Sequence, residues 1–111
     1  MAFSASSDVN NGIAKITLTG ELDASSAPEF KSEIEKVAAQ QPRRLVLMLS
    51  GLDYMASAGL RVLIFAKQKL QGMGDIYVVG AQPSIVETLE MTGFQHSVVM
   101  LPEYDASKIE G

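Results

Sequence analysis

The stretch LVLML at residues 45–49 constrains the fold most, because it is apolar throughout and too short for an independent helix. An unbroken apolar run of this length is typical of a central strand that is covered on both faces of a sheet. The stretch IYVVG at residues 76–80 has the same character. The chain therefore has to supply further elements that cover a sheet with at least two buried strands.

A hairpin is predicted before the first of these runs. Residues 14–19 alternate between apolar and polar side chains, which predicts a half-buried strand. The preceding stretch FSASSDV alternates more weakly, and Asn10, Asn11 and Gly12 lie between the two. Asn and Gly tolerate positive φ and favour tight hairpin turns. The first two strands are therefore predicted to be antiparallel.

Three segments carry helical signals. Ser26 and Glu29 fit a capping box before the first segment. A second helix is predicted from about Ala58 to Gln71, before the break GMGD, and a third over residues 83–92 with Gly93 as its C-cap. With a last strand at 97–101, the order predicts a single α/β domain. Its sheet is four- to five-stranded, mixed and largely parallel, with about three main helices.

Composition excludes several functional classes. The 111 residues suit one domain, which we assign to residues 1–103, with 104–111 as a loose polar tail. The net charge is −4 and the nine basic residues are scattered, which argues against nucleic-acid binding. Cysteine is absent, and the single His and scattered carboxylates predict no metal or other cofactor. Without a signal sequence or a span of ~20 apolar residues, we expect a cytoplasmic protein with no membrane partner.

The stretch GLDYMASAGLRVL at residues 51–63 passes from an extended to a helical pattern, with Ser57 at the change. Leu52, Tyr54 and Met55 are predicted to end a buried extended segment. Serine at position 57 is typical of a helix N-cap. Ser57 is also a candidate for modification, because a phosphate at the positive end of a helix dipole is favoured by about 0.3–1 kcal/mol. The two interpretations are compatible. Since GMGD lacks the spacing of a phosphate-binding loop, any phosphate has to come from a separate kinase.

A nucleophilic Ser57 is the main enzymatic alternative. MASAG resembles the G-x-S-x-G elbow, and Asp75 and His96 follow in Ser–Asp–His order. Met55 replaces the first glycine of that motif, and the chain is short for an α/β-hydrolase. A triad is defined by geometry rather than chain order, so this esterase hypothesis is the weaker one.

Two further features point to the neighbourhood of Ser57. Loops that follow adjacent parallel strands open at the same edge of a sheet, so Asp23 is expected near the start of the second helix. From spacing alone, the interpretation of Asp23 as a simple turn or capping residue is favoured. On that helix, Ile64 and Phe65 lie on either side of Arg61, toward the outer face. They are candidates for a docking surface, although core packing explains most of the helix's apolar pattern.

The chain resembles STAS domains of the anti-sigma factor antagonist type over roughly residues 3–101. The resemblance is carried by LTGELDASSAPEF, LVLMLSGLDYMASAGLRVL and AQPSIVETLEMTGF, in that order along the chain. It implies a serine that is phosphorylated by a partner acting both as serine kinase, of the histidine-kinase-like ATPase type, and as anti-sigma factor. It also implies that the unphosphorylated form binds this partner and releases the sigma factor. A serine phosphatase restores that form.

The resemblance assigns roles to particular residues. Ser57 matches the phosphorylated serine, Gly59 and Leu60 match its G-L pair, and Asp23 matches the acid of G-x-L-D. The small residues beside Ser57 are expected to form the floor of a close contact with the partner. Ala56 departs from the family's usual Asp, which bears on how fast Ser57 is phosphorylated. The predicted partner-binding residues are Asp23, Ala56, Ser57, Ala58, Gly59, Leu60, Arg61 and Ile64. The alternative within the family is a STAS scaffold or transport-complex subunit whose serine is never phosphorylated.

Overall fold

The computed structural model describes residues 2–70 and 75–110, which form one sheet and its covering helices. The strands are β1 (Ser4–Asn10), β2 (Ile13–Leu22), β3 (Arg44–Met55), β4 (Ile76–Val79) and β5 (Val99–Leu101). The α-helices are α1 (Ala27–Ala38), α2 (Ser57–Lys69), α3 (Pro83–Thr92) and α4 (Ala106–Ile109), with a 3-10 helix at Phe94–Ser97. The predicted break GMGD lies largely outside the described residues, as does Gln71, the predicted end of the second helix.

The sheet is mixed and largely parallel, which confirms the predicted fold class. Its strand order is β1-β2-β3-β4-β5, with β1 antiparallel to β2 and the other neighbours parallel. The hairpin between β1 and β2 turns at Asn11 and Gly12, whose φ angles are 54° and 77°. Positive φ at both central residues is what a two-residue hairpin turn requires.

One face of the sheet carries the main hydrophobic core. The inward residues of β2 and β3 are at most 1% exposed and pack against α1, α2 and α3. They are Ala14, Ile16, Leu18, Leu45, Leu47 and Leu49. This confirms both the alternation predicted for β2 and the buried central position predicted for LVLML. Burial of this apolar surface fixes the helices on the sheet and so positions the loops at its carboxyl edge.

The other face is covered by the C-terminal segment, so the prediction of a loose tail is wrong. Ile109 of α4 is fully buried among side chains that include Ile13, Val46 and Val79. The hydroxyl of Tyr77 donates a hydrogen bond to the carbonyl of Lys108 at 3.2 Å. The physical reason is that β3 and β4 are apolar on both faces, and the outer face needs a cover to be kept from water.

Candidate functional site

The site lies at the carboxyl edge of the sheet. There β2 leads to residues 23–26, the Asp23 loop, and β3 leads to α2. The backbone N–H of Ala56 donates to the carbonyl of Leu22 at 2.8 Å. This bond holds the Asp23 loop beside the start of α2, as the parallel topology predicted. The two segments that the sequence singled out are therefore neighbours in the fold.

Ser57 is the first residue of α2 and not its N-cap, so the capping prediction is wrong. The N-cap is Ala56, with φ −82° and ψ 170°, because pairing of Met55 with Leu22 keeps the chain extended up to that point. The first turn of α2 has no side-chain cap and no acidic residue. Ser57 is exposed, and its hydroxyl makes no hydrogen bond to any of the residues 2–70 and 75–110. The hydroxyl is thus open to solvent and to a modifying enzyme.

Internal packing requires a glycine at position 59. A Cβ at this position would lie 2.6 Å from Cγ and Cδ2 of Leu22 and 3.1 Å from Cγ of Met55. The helix can sit this close to β2 only without a side chain there. Leu60 is also directed into the core and is 7% exposed. Gly59 and Leu60 were expected at the floor of a partner contact; in the structure Gly59 allows close packing of helix and strand, and the Leu60 side chain packs in the core.

The Asp23 carboxylate is held rigidly in its loop. Its Oδ1 accepts hydrogen bonds from the N–H of Ser25 at 3.0 Å and of Ser26 at 3.1 Å. It also accepts from the hydroxyls of both serines, at 2.7 and 3.1 Å. These bonds, led by that from the Ser25 hydroxyl, lower the pKa of Asp23 below 3.8. Asp23 therefore presents a fixed negative charge at neutral pH, next to the segment that starts α2.

The predicted capping box at α1 does not form. Ser26 is the N-cap of α1 as predicted, but its side chain makes no capping bond to that helix. Its hydroxyl instead accepts from the N–H of Asp23 at 2.9 Å and contacts the Asp23 carboxylate. The N–H of Glu29 bonds the carbonyl of Ser26 at 3.0 Å. Ser26 is thus part of the Asp23 loop, because that carboxylate competes successfully for the hydroxyl.

The eight predicted contact residues differ in accessibility. Ser57, Arg61 and Ile64 are exposed, whereas Asp23, Ala56 and Ala58 are half-buried. The exposed three are spaced by four and three positions, so they form one surface stripe, the α2 stripe. Phe65 does not belong to it, because its ring packs against the core and lies 4.8 Å from the ammonium of Lys31.

Tyr54 is an accessible aromatic side chain that sequence reasoning missed. The pattern predicted Tyr54 as part of a buried extended segment, but it is 51% exposed and pairs with Glu21 in the β2–β3 ladder. The ladder changes register between Gly20 and Glu21, which breaks the inward–outward alternation beyond that point. The sequence signal for this irregularity was Gly20, because a glycine inside a strand often marks a bulge. In the structure its φ is 86°.

The geometry does not assemble a Ser–His–Asp triad. The carbonyl of Asp75 accepts from the N–H of Leu45 at 3.3 Å, at the start of β3, whereas Ser57 follows the end of this 12-residue strand. His96 lies in the 3-10 helix that precedes β5, and β5 runs parallel to β4. Both candidate partners of a nucleophile are therefore at the opposite edge of the sheet from Ser57.

The described part of the chain contains neither a metal site nor a membrane-spanning helix. No group of three or more His, Asp or Glu side chains within residues 2–70 and 75–110 is arranged to hold a metal ion. None of the helices described there has the length and apolar character needed to cross a membrane.

Comparison with known proteins identifies the family. The STAS domain profile matches residues 4–107. BtrV of Bordetella bronchiseptica, which is named as an anti-sigma factor antagonist, is 35% identical over 88 residues, covering 78% of this chain and 76% of BtrV. The crystal structure of an anti-sigma factor antagonist from Mycobacterium paratuberculosis has a TM-score of 0.90 at 24% identity, covering 99% and 96% of the two chains. Phosphorylated SpoIIAA of Bacillus has the same fold, with a TM-score of 0.71 at 18% identity over 98% and 97%. This chain belongs to the STAS domain family.

Proposed function

We propose that this protein is an anti-sigma factor antagonist that acts by binding rather than catalysis, and that phosphorylation of Ser57 switches it off. The observation that carries the proposal is the exposed hydroxyl of Ser57 at the first position of α2, which makes no hydrogen bond to residues 2–70 and 75–110. Relatives of the same family are named for antagonism of anti-sigma factors. The structure of SpoIIAA in a phosphorylated form is a precedent for phosphorylation on this fold.

The proposed partner docks on the α2 stripe and the adjoining Asp23 loop. Ile64, which is 41% exposed, offers it apolar contact area, and Arg61 offers a cation. Asp23 offers a carboxylate whose position is fixed by Ser25 and Ser26. A surface with both charges and an exposed apolar residue suits a specific protein contact. The partner is an anti-sigma factor that is also a serine kinase of the histidine-kinase-like ATPase type, and both proteins meet in the cytoplasm.

Charge explains why modification would end binding. In the kinase reaction the Ser57 oxygen bonds the γ-phosphorus of ATP, ADP leaves, and the hydroxyl proton passes to a base of the kinase. The product carries about −1.5 to −2 charge units at neutral pH. Burying that charge in the interface without a paired cation costs several kcal/mol. A loss of about 4 kcal/mol corresponds to a 10³-fold weaker complex. A separate serine phosphatase would restore the binding form.

Ala56 is compatible with this switch. The family's usual acid would place a carboxylate beside the phosphate, whereas the first turn of this α2 contains no acidic residue. The phosphate would therefore meet no like charge from its own helix turn, and the N–H groups there favour an anion. The kinase has to orient Ser57 without help from a carboxylate at position 56.

The test is calorimetric titration of the purified anti-sigma factor with Ser57→Ala, Ser57→Asp and unmodified protein. We expect Ser57→Ala to bind like the unmodified protein and Ser57→Asp to bind at least tenfold more weakly. Ser84→Asp is the matched control, because it puts the same charge on an exposed serine in the first turn of α3. It should change affinity less than twofold. Equal affinities of Ser57→Ala and Ser57→Asp would refute the switch.

Phosphorylation itself is tested by mass spectrometry after incubation with the anti-sigma factor and ATP. The unmodified protein should gain the mass of one phosphoryl group, and Ser57→Ala should gain none. If the unmodified protein binds the partner but gains no mass, the chain is a STAS binding scaffold whose serine is not a substrate.

A further inference from the structure

We propose that Arg61 is the intramolecular partner of the phosphate on Ser57, so that phosphorylation also withdraws this cation from the α2 stripe. The inference rests on the proposed phosphorylation of Ser57. The two residues are four positions apart within the uninterrupted helix α2, and both are exposed. Side chains at this spacing lie on the same helix face, with Cβ atoms roughly 5–6 Å apart.

Arg61 has its full hydrogen-bonding capacity available. Its guanidinium makes no hydrogen bond or ion pair with residues 2–70 and 75–110. Two lysines of α1 are already engaged, since Lys36 lies 3.8 Å from Glu33 and Lys31 lies over the ring of Phe65. The Asp23 carboxylate accepts hydrogen bonds from the hydroxyls of Ser25 and Ser26 within its loop. No described carboxylate therefore has to be displaced before Arg61 can turn toward Ser57.

The chemistry of the pair favours a defined contact. A phosphoserine has three acceptor oxygens, and a guanidinium presents a planar fork of donors that binds phosphate in a bidentate manner. The Ser57 hydroxyl makes no hydrogen bond to the described residues that would have to be broken when it is modified. An arginine C-terminal to the negative group at this spacing also follows the favourable orientation for helix ion pairs.

The consequence is a double change in the docking surface. In the unphosphorylated protein the partner meets a neutral hydroxyl and a free cation on the α2 stripe. In the phosphorylated protein it meets an anion, and the cation that could have been paired with an acidic group of the partner is occupied. A single modification thereby alters two of the three residues of the stripe.

The experiment uses the full chain with phosphoserine incorporated at position 57 during translation, so that no kinase is required. Thermal unfolding is measured for the Ser57 and phosphoserine forms of the unmodified chain, Arg61→Gln, Arg61→Lys and Lys67→Gln. Lys67 is the matched control, since it is an exposed cation on the same helix but not at the i+4 spacing. The quantity of interest is the shift in Tm caused by phosphorylation in each background.

Phosphorylation changes Tm by some amount in each background. We expect this change to be about 2–4 °C less favourable in Arg61→Gln than in the unmodified chain, because the ion pair is missing. Lys67→Gln should match the unmodified chain, and Arg61→Lys should recover part of the difference because it keeps the charge but not the fork. The Arg61 Nε–H resonance should shift on phosphorylation, as direct contact requires. The same Tm shift in all four backgrounds, with an unmoved Arg61 resonance, would overturn the inference.

Failure of this inference can be told apart from failure of the proposed function. The coupling is measured without any partner, whereas the switch is measured by binding of the phosphoserine form to the anti-sigma factor. Loss of binding without Arg61 coupling contradicts only the inference. Coupling without loss of binding supports the inference and contradicts the switch.

Discussion

At the scale of single residues, Ala56 and Gly59 decide how the Ser57 hydroxyl is presented. Ala56 has no acceptor to cap α2, so the N–H groups of the first turn have no side-chain partner from the cap position. Gly59 lets Leu22 approach the helix, which fixes the start of α2 against the end of β2. The hydroxyl is therefore exposed on a rigid support, and a kinase would meet it in a defined geometry.

Gly59→Ala should destabilise the protein. In an exposed helix this change stabilises by about 1 kcal/mol, but here the new Cβ would lie 2.6 Å from two carbons of the fully buried Leu22. Overpacking of this kind costs ~1–3 kcal/mol, which, set against that gain, leaves an expected net loss of up to about 2 kcal/mol in the free energy of unfolding in urea. The exposed Ser57→Ala should change stability by less than about 0.5 kcal/mol. A Gly59→Ala protein more stable than the parent would contradict the packing explanation.

At the scale of elements, proline and glycine predicted the ends of a helix correctly, whereas the presence of a serine did not predict the N-cap of α2. The bounds of α3 are those predicted, because Pro83 opens it and Gly93, at φ 75°, ends it. The start of α2 was predicted one residue too late, because the chain leaves the β3 ladder at Met55, which pairs with Leu22, and Ala56 is already the N-cap. The same ladder's change of register exposes Tyr54. These errors share one cause, since strand register depends on contacts distant in sequence.

The C-terminal segment was missed for a related reason. Ile109 is one apolar residue in a polar tail, and nothing local indicates its burial. The signal is instead on the sheet, where Val46 and Tyr77 occupy the face that α1, α2 and α3 do not cover. A prediction from sequence could have found the tail only by asking which segment remained to cover that face.

Ile109→Ala tests this role of α4. The side chain is fully buried, so its truncation should remove about 2–4 kcal/mol from the free energy of unfolding in urea. Ile64→Ala is the control, because Ile64 is 41% exposed and should contribute less than about 0.5 kcal/mol. If the two substitutions have the same small effect, the tail does not pack on the sheet in solution.

At the scale of the whole molecule, a change at Ser57 should leave the packing of the sheet and its two apolar cores unchanged. The Ser57 side chain is exposed and makes no hydrogen bond to the described residues. The helix behind it is fixed by Leu60, Val62, Leu63 and Ala66, which are at most 7% exposed. The two functional states should therefore differ in surface charge and not in fold.

Amide chemical shifts of the Ser57 and phosphoserine-57 proteins provide the comparison. We expect changes at the start of α2 and in the Asp23 loop, which the bond between Ala56 and Leu22 joins to it. Amides of α3, β5 and α4 should be unmoved, and the radius of gyration, 12.6 Å for the Cα atoms, should stay the same. Shifts spread through α3 and β5 would mean that the phosphate acts by rearranging the fold. In that case repulsion at the docking surface would not explain the loss of binding, and the rigid support of Ser57 would have to be reconsidered.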